Sequence, residues 1–395
     1  MKDALRIALI ASNRFPIRQP FAGGLEAHVW QLARALNDRG HHVSVFAAPG
    51  SDPDIGCRPL PVVRDLELSL AARDDPSMPA VNFMTDHHAY LALMLALVRS
   101  TEFDLIHNHS LHHLPIAMAP MLSIPMLTTV HTPPTPWLES ALTVTGAAGT
   151  ELAAVSAHTA AAWRAVAERI TVVHNGVDLA RWPLGDGGDH LVWFGRITPE
   201  KAPHLAIAAA QLAAMPLVVA GPISDEEYYA DEVAPHLGDD IRYAGHLDQA
   251  ELARLVGGAA AALVTPMWDE PYGLVVAEAM ACGTPVVAFD RGGVPELLGD
   301  TGGLVVGPGD VVGMAQAIPA AIGLSRIDVH RHAAARCSLD SMVAAYLARY
   351  EQMIDEVSDD RVLRPPPRLR PFGTRAQHRR PDGQAGHSTH IAGRS

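Results

Sequence analysis

Two glutamates, Glu270 and Glu278, stand with seven residues between them in the segment TPMWDEPYGLVVAEAMACGTPVVAF at residues 265–289. A carboxylate accepts hydrogen bonds only, so a pair of them suits a ligand rich in hydroxyls. An apolar run at 259–264 precedes the pair and another at 285–289 follows it. The segment therefore reads as strand, loop, short helix, strand. That order puts Glu270 in a loop at the C-terminal end of a strand and Glu278 about two turns inside the helix. In an open parallel sheet, ligands bind at that end. The residues between the glutamates can offer unpaired backbone N–H groups at a helix start, where phosphate binds. A phosphate cradle flanked by two hydroxyl acceptors suits a sugar nucleotide.

Cations for such a ligand stand in VWFGRITPEK, residues 192–201. Gly195 permits a tight turn after a strand, Arg196 is a permanent cation, and Lys201 begins the next helical region. The chain has two lysines, Lys2 and Lys201, and its other 28 cations are arginines, so an interior lysine here stands out. Arginine and lysine together can clamp a diphosphate and offset the charge that grows on it when the bond to it breaks. In the first half, Ala22-Gly23-Gly24 precedes an amphipathic stretch, and two glycines let backbone approach a ligand closely. The spacing is not G-x-G-x-x-G, and the first strand runs into Ser12-Asn13-Arg14, which argues against a dinucleotide-binding dehydrogenase. His131 lies just past a strand in TTVHTPP. His107, His109, His112 and His113 crowd DLIHNHSLHH, where alternation puts His107 and His109 on one face. Imidazoles suit zinc, copper or nickel. The favoured reading is nonetheless no metal, with His107 structural and His109 lining a cleft.

Strand-like and helix-like segments alternate along the chain. Strands are expected at 5–11, 42–47, 105–109, 126–130 and 152–155, with helices at 25–39 and 86–99. A second series opens near residue 170, where 170–174 reads as a strand or linker, and continues with strands at 191–194, 217–220, 241–243, 261–265 and 286–289. Such alternation implies parallel sheets covered on both faces. Two series in succession give an α/β architecture of two Rossmann-like, doubly wound domains facing a central cleft. The expected division is 1–170 and 171–337, with a helix at 338–357 crossing back onto the first domain.

Length and composition agree. A chain of 395 residues, 48% hydrophobic and 18% charged, can bury two cores. A net charge of −13 disfavours nucleic acid and anionic membrane as main partners. Residues 1–170 carry twelve cations against fifteen acids, with no basic run, so peripheral membrane contact is not favoured. Cys57, Cys282 and Cys337 form neither a disulfide framework nor a zinc pattern, which fits a reducing cytoplasm. No signal peptide is visible, and the aliphatic run at 91–98 is far short of a membrane span. Residues 358–395 read as a disordered tail. Its portion from 361 holds eight arginines and one aspartate with hardly any aliphatics.

The stretches EPYGLVVAE and AMACGTPVVA closely resemble the signature of the retaining GT-B glycosyltransferases of family 4, a resemblance that spans roughly residues 5–355. It implies that Glu278 accepts hydrogen bonds from the ribose hydroxyls of a nucleotide and that Glu270 meets hydroxyls of the donor sugar. The amides of Tyr272, Gly273 and Leu274 would cap the phosphates. Gly195, Arg196 and Lys201 would lie at the diphosphate. Gly23 and Gly24 would form the glycine loop beneath it. His131 would reach the donor sugar's outer hydroxyl, and His109 would face the acceptor side. The sequence departs from the family in Ala202-Pro203, which alters the turn after Lys201, while NGVD at 175–178 matches the interdomain turn. The resemblance implies a retaining, metal-independent hexosyltransferase with no cofactor, the nucleotide sugar being a substrate. A UDP-hexose is the first expectation for the donor and GDP-mannose the second. The acceptor is expected to be a soluble small molecule or saccharide. A GT-B epimerase, a phosphorylase or a non-catalytic nucleotide-sugar binder are the alternatives.

Overall fold

The computed structural model describes residues 4–60, 69–73 and 81–360. The tail from residue 361 lies outside the described residues, as do residues 61–68 and 74–80.

The first half builds a seven-stranded parallel sheet from β1 (Arg6–Ile10), β2 (His42–Ala47), β3 (Cys57–Pro59), β4 (Leu105–Asn108), β5 (Met126–Val130), β6 (Thr150–Ala154) and β7 (Thr171–Val172), ordered β3-β2-β1-β4-β5-β6-β7. The second half builds a six-stranded sheet from β8 (Leu191–Phe194), β9 (Leu217–Ala220), β10 (Ile241–Tyr243), β11 (Ala261–Val264), β12 (Val286–Phe289) and β13 (Gly303–Val306), ordered β10-β9-β8-β11-β12-β13. The central strands β1, β4, β5, β8, β9, β11 and β12 are almost wholly buried, because helices cover both faces of each sheet. Strand order reverses between β1 and β4 in one sheet and between β8 and β11 in the other. A crevice opens at the C-terminal ends of the strands at each reversal, and both sheets aim theirs at the same space.

Residues 170–174, read as the opening of the second series, divide differently. Thr171 and Val172 pair with Ala153 and Ala154 as the seventh strand of the first sheet. The chain then leaves the first half through Asn175-Gly176. Val177 donates to Cys337 O at 2.8 Å, and Leu339 donates to Val177 O at 2.9 Å. The outgoing and returning chains are thus bonded side by side at the junction. A Cβ on Gly176 would lie 2.6 Å from Leu339 Cα, so only glycine permits this approach.

The returning helix, Leu339–Asp360, buries Met342, Val343, Tyr346, Tyr350 and Met353 among the apolar residues of the first half. Their three-to-four-residue spacing is one helical stripe. The hydroxyl of Tyr350 lies 2.6 Å from His107 Nδ1, while His107 Nε2 meets Thr129 Oγ1 at 2.8 Å. His107 is therefore a fully satisfied core histidine. No described helix is long and apolar enough to cross a membrane.

Candidate active site

A cleft of about 320 Å³ lies between the C-terminal ends of the two sheets. The first half contributes Ser12, Arg14, the Gly23-Gly24 turn, Glu26 and His131; the second contributes Gly195, Arg196, Lys201, Glu270, Gly273 and Glu278. Tyr272 and Leu274 line it as well. Residues from five separate stretches of sequence thus share one space.

The loop after β8 makes the cationic wall. Gly195 has φ 148°, and a Cβ on neighbouring Gly221 would fall 1.9 Å from Gly195 O, so the ends of β8 and β9 touch backbone to backbone. Arg196 leans on Glu200 at 3.5 Å. Lys201 precedes the helix Pro203–Leu212, and the Ala202-Pro203 departure is accommodated by Ala202 in the left-handed region at φ 49°. Lys201 Nζ donates a short hydrogen bond to Glu270 Oε2 and sits 5.1 Å from the centre of the Trp268 ring. Trp268 Nε1 donates to the same oxygen at 3.0 Å. Glu270 is thereby held by two donors.

The loop after β11 ends at Gly273, whose φ of 93° starts the helix Leu274–Ala281. That left-handed residue delays the helix, so Glu278 lies one turn inside it rather than two. Among the described residues, no protein acceptor takes the N–H of Tyr272, Gly273 or Leu274. Three amides beside the cleft are therefore left without a protein acceptor, as an anion site at a helix start requires. The Tyr272 ring itself is buried, and its hydroxyl donates to Asn175 O at 2.6 Å. The Glu278 carboxylate has no hydrogen-bond donor among the described residues. Dehydration pushes its carboxyl up to about 8. A group so placed gains from any ligand hydroxyl that donates to it.

The glycine loop closes the cleft from the first half. Gly23 caps the helix Gly24–Asp38, and a Cβ on Gly24 would lie 2.9 Å from Leu274 Cδ1. The loop thus touches the Leu274 side chain at the start of the opposing helix, and a Cβ on Gly24 would displace that side chain. Glu26, which sequence reasoning missed, is buried in this wall at 6% exposure. Burial pushes its carboxyl up, against the pull of Arg196 and Arg14. Its signal was its place inside the Gly-Gly-Leu-Glu run rather than on the outer face of the helix.

His131 lines the cleft, but His109 does not. His109 is fully buried behind His131, and the two share a 2.9 Å hydrogen bond between Nδ1 and Nε2. The expectation that His109 faces an acceptor is corrected accordingly. The residue following β4 turns inward with the strand, and only the residue following β5 reaches the opening.

The two halves also meet through polar contacts. Ser156 and Thr159 donate to Pro271 O at 2.6 and 3.0 Å. Glu296 accepts from the amide of Ala157 at 2.9 Å and pairs with His174 at 2.6 Å. His246 bonds Phe21 O at 3.0 Å on the opposite rim.

Comparison with known proteins agrees with this geometry. The chain matches the family model Glycosyltransferase Family 4 over residues 22–181 and Glycosyl transferases group 1 over residues 188–323. It is 31% identical over 380 residues to a glycogen synthase of Mycobacterium tuberculosis, covering 85% of this chain and 91% of that one. A D-inositol 3-phosphate glycosyltransferase of Mycolicibacterium paratuberculosis is 29% identical over 423 residues, covering 91% and 93%. Among solved structures, sucrose-phosphate synthase from Thermosynechococcus elongatus superposes with a TM-score of 0.70 at 21% identity, covering 89% of this chain and all of that one. Anabaena HepE in complex with UDP-glucose gives 0.65 at 19% identity, covering 90% and 100%. The chain belongs to the family 4 glycosyltransferases and is a glycosyltransferase of the GT-B fold.

Proposed function

We propose that the protein moves a hexose from a UDP-sugar to a hydroxyl of a soluble acceptor, with retention at the anomeric carbon. One observation carries this reading. Arg196, Lys201 and the unbonded amides of Tyr272, Gly273 and Leu274 face one cavity that also holds Glu270 and Glu278. The diphosphate takes the amides and the two cations. Lys201 then turns from Glu270 to phosphate, and Glu270 is released to bind hydroxyls of the sugar. Glu278 takes the ribose diol. His131 reaches the sugar from the first half, and the acceptor enters past the Gly23-Gly24 loop.

The bond from the anomeric carbon to the diphosphate oxygen breaks, and the bond to the acceptor oxygen forms on the same face. The acceptor's proton passes to the departing phosphate oxygen. Glu270 is held by Lys201 and Trp268, which supports this route over attack by a free carboxylate. Two cations and a helix start offset the charge of the leaving group, so the reaction needs no metal or other cofactor. UDP-glucose in the HepE complex supports a UDP-hexose, with GDP-mannose second. The glycogen synthase relative supports a saccharide acceptor. The free thiols of Cys57, Cys282 and Cys337 support a cytoplasmic setting.

Isothermal titration with UDP-, GDP- and ADP-hexoses tests the donor, and the anomeric configuration of the product tests retention. One diphosphate sugar should bind well above the rest. Turnover of that sugar with no acceptor would mean an epimerase, a need for inorganic phosphate would mean a phosphorylase, and an inverted product would refute the same-face route.

A further inference from the structure

We propose that His28, His109 and His131 form a binding site for one transition-metal ion of the zinc class, and that its occupation switches transfer off by withdrawing His131 from the substrate cleft. The switch rests on the reading above that His131 meets the donor sugar; the binding site does not.

Three elements bring these histidines together. His28 lies on the helix that follows the glycine loop, His109 follows β4, and His131 follows β5. One ring nitrogen from each lies within 4.8 Å of the others. The His28 ring centre is 5.2 Å from that of His109 and 5.0 Å from that of His131. His28 is 1% exposed, yet neither of its ring nitrogens has a partner, and His109 Nε2 has none either. A neutral imidazole carries one N–H and one lone pair, so His28 leaves both unsatisfied in a dry interior. Such groups are rare in folded proteins and call for a cause, an ion among them.

The chemistry of the donor set selects the ion. Each of the three is an imidazole, which in its neutral form offers one nitrogen lone pair to a metal. Three imidazoles and no carboxylate favour zinc, copper or nickel over magnesium or calcium. The facing nitrogens of His109 and His131 are 2.9 Å apart. With Zn–N bonds of about 2.0–2.1 Å that separation subtends about 90°, and a widening of a few tenths of an ångström brings it to a tetrahedral angle. The proton they now share moves to the other nitrogen of its own ring, so binding leaves the ligands neutral and their proton count unchanged. Of the three, His131 lines the cleft, so an ion would enter from that side. Metal on His131 Nε2 would hold the ring against His28 and His109, so the ring could no longer shift to follow a sugar in the cleft.

Cobalt(II) reports on the site without turnover. Titrated into the full chain, it should bind one to one with visible ligand-field absorption, and zinc should displace it. Zinc should inhibit transfer and EDTA should reverse the inhibition. His28→Phe keeps the ring volume and removes one ligand. It should keep metal-free activity, lose zinc inhibition and weaken metal affinity by at least ~100-fold, beyond the usual effect of losing a second-shell contact. His28→Gln serves if the phenylalanine variant does not fold. Absence of one-to-one binding in the wild type, or unchanged affinity in a folded His28 variant, overturns the site. Stoichiometric binding without inhibition overturns the switch. His131→Ala tests the underlying reading separately, because full metal-free activity there removes His131 from the chemistry whatever the metal does.

Discussion

Glu278→Gln separates what the cleft costs from what it does. Burial pushes the Glu278 carboxyl up to about 8, against an ordinary value of 4.5. Between those values the folded state holds a proton that the unfolded chain has lost. Stability therefore falls as pH rises through that window, at up to ~1.4 kcal/mol per pH unit. By pH 7.5 the cost from this side chain is about 2–4 kcal/mol, the upper figure being three pH units of that slope. Glutamine keeps the shape and carries no charge. The variant should match the wild type in thermal stability near pH 4.5 and exceed it increasingly towards pH 8. Binding should move the other way. Two sugar hydroxyls donating to a carboxylate are worth about 1.5–3 kcal/mol each as charge-assisted bonds, so losing the charge should weaken the donor at least ~10-fold. At pH 7 most wild-type molecules enter with Glu278 protonated, and hydroxyl donation favours its ionised form. Donor binding should then release close to one proton in the wild type and none from this site in the variant. Calorimetry in buffers of different ionisation enthalpy counts that proton. If the variant shows the same stability profile between pH 5 and 8, and the same donor affinity and proton release, the assignment of Glu278 to the ribose is wrong.

Lys201→Ala and Arg196→Ala should each lower the transfer rate by about 10²-fold or more, as removal of an oxyanion donor does; full activity in either would remove that residue from the diphosphate. Tyr350→Phe should leave His107 Nδ1 buried without a partner and cost about 1–3 kcal/mol in denaturant unfolding. An unchanged midpoint would mean the Tyr350–His107 bond adds nothing to the hold on the helix Leu339–Asp360.

Legibility in the sequence followed local rules. The strand-loop-helix around Glu270 was readable because the apolar runs on either side are buried on both faces and carry no competing pattern. The glycine loop and the Gly195-Arg196 turn were readable because each sits at the end of such a run. Three features were not. β7 has both residues exposed at the sheet edge, so no burial pattern marks it as the last strand of the first sheet. The depth of Glu278 in its helix turns on the left-handed Gly273, which delays the start without changing the hydrophobic period. The difference between His109 and His131 is tertiary: both follow parallel strands, yet His109 is buried behind His131 and only His131 lines the cleft.

The contacts between the halves differ in kind from those within them, and the difference bears on turnover. Each sheet has apolar clusters of its own, one of those in the second half also taking in Val155 of the first, and the returning helix Leu339–Asp360 adds its buried tyrosines to a cluster of the first half. Much of what crosses the cleft rim is polar: Ser156 and Thr159 to Pro271 O, Glu296 to Ala157 and His174, His246 to Phe21 O. Water can replace each of these bonds at small net cost, whereas parting two apolar surfaces costs in proportion to their area. The covalent crossings run side by side at Val177 and Leu339. A rotation about that paired crossing would open the rim while leaving both sheets and the returning helix intact. Such a motion would admit the nucleotide sugar, bring Gly24 back against Leu274 over the diphosphate, and keep water from the activated carbon until the acceptor arrives. The same rotation would carry His131 to and from the reacting sugar. The halves therefore need to be rigid singly and loosely joined, which is the distribution of apolar and polar contact that this chain builds.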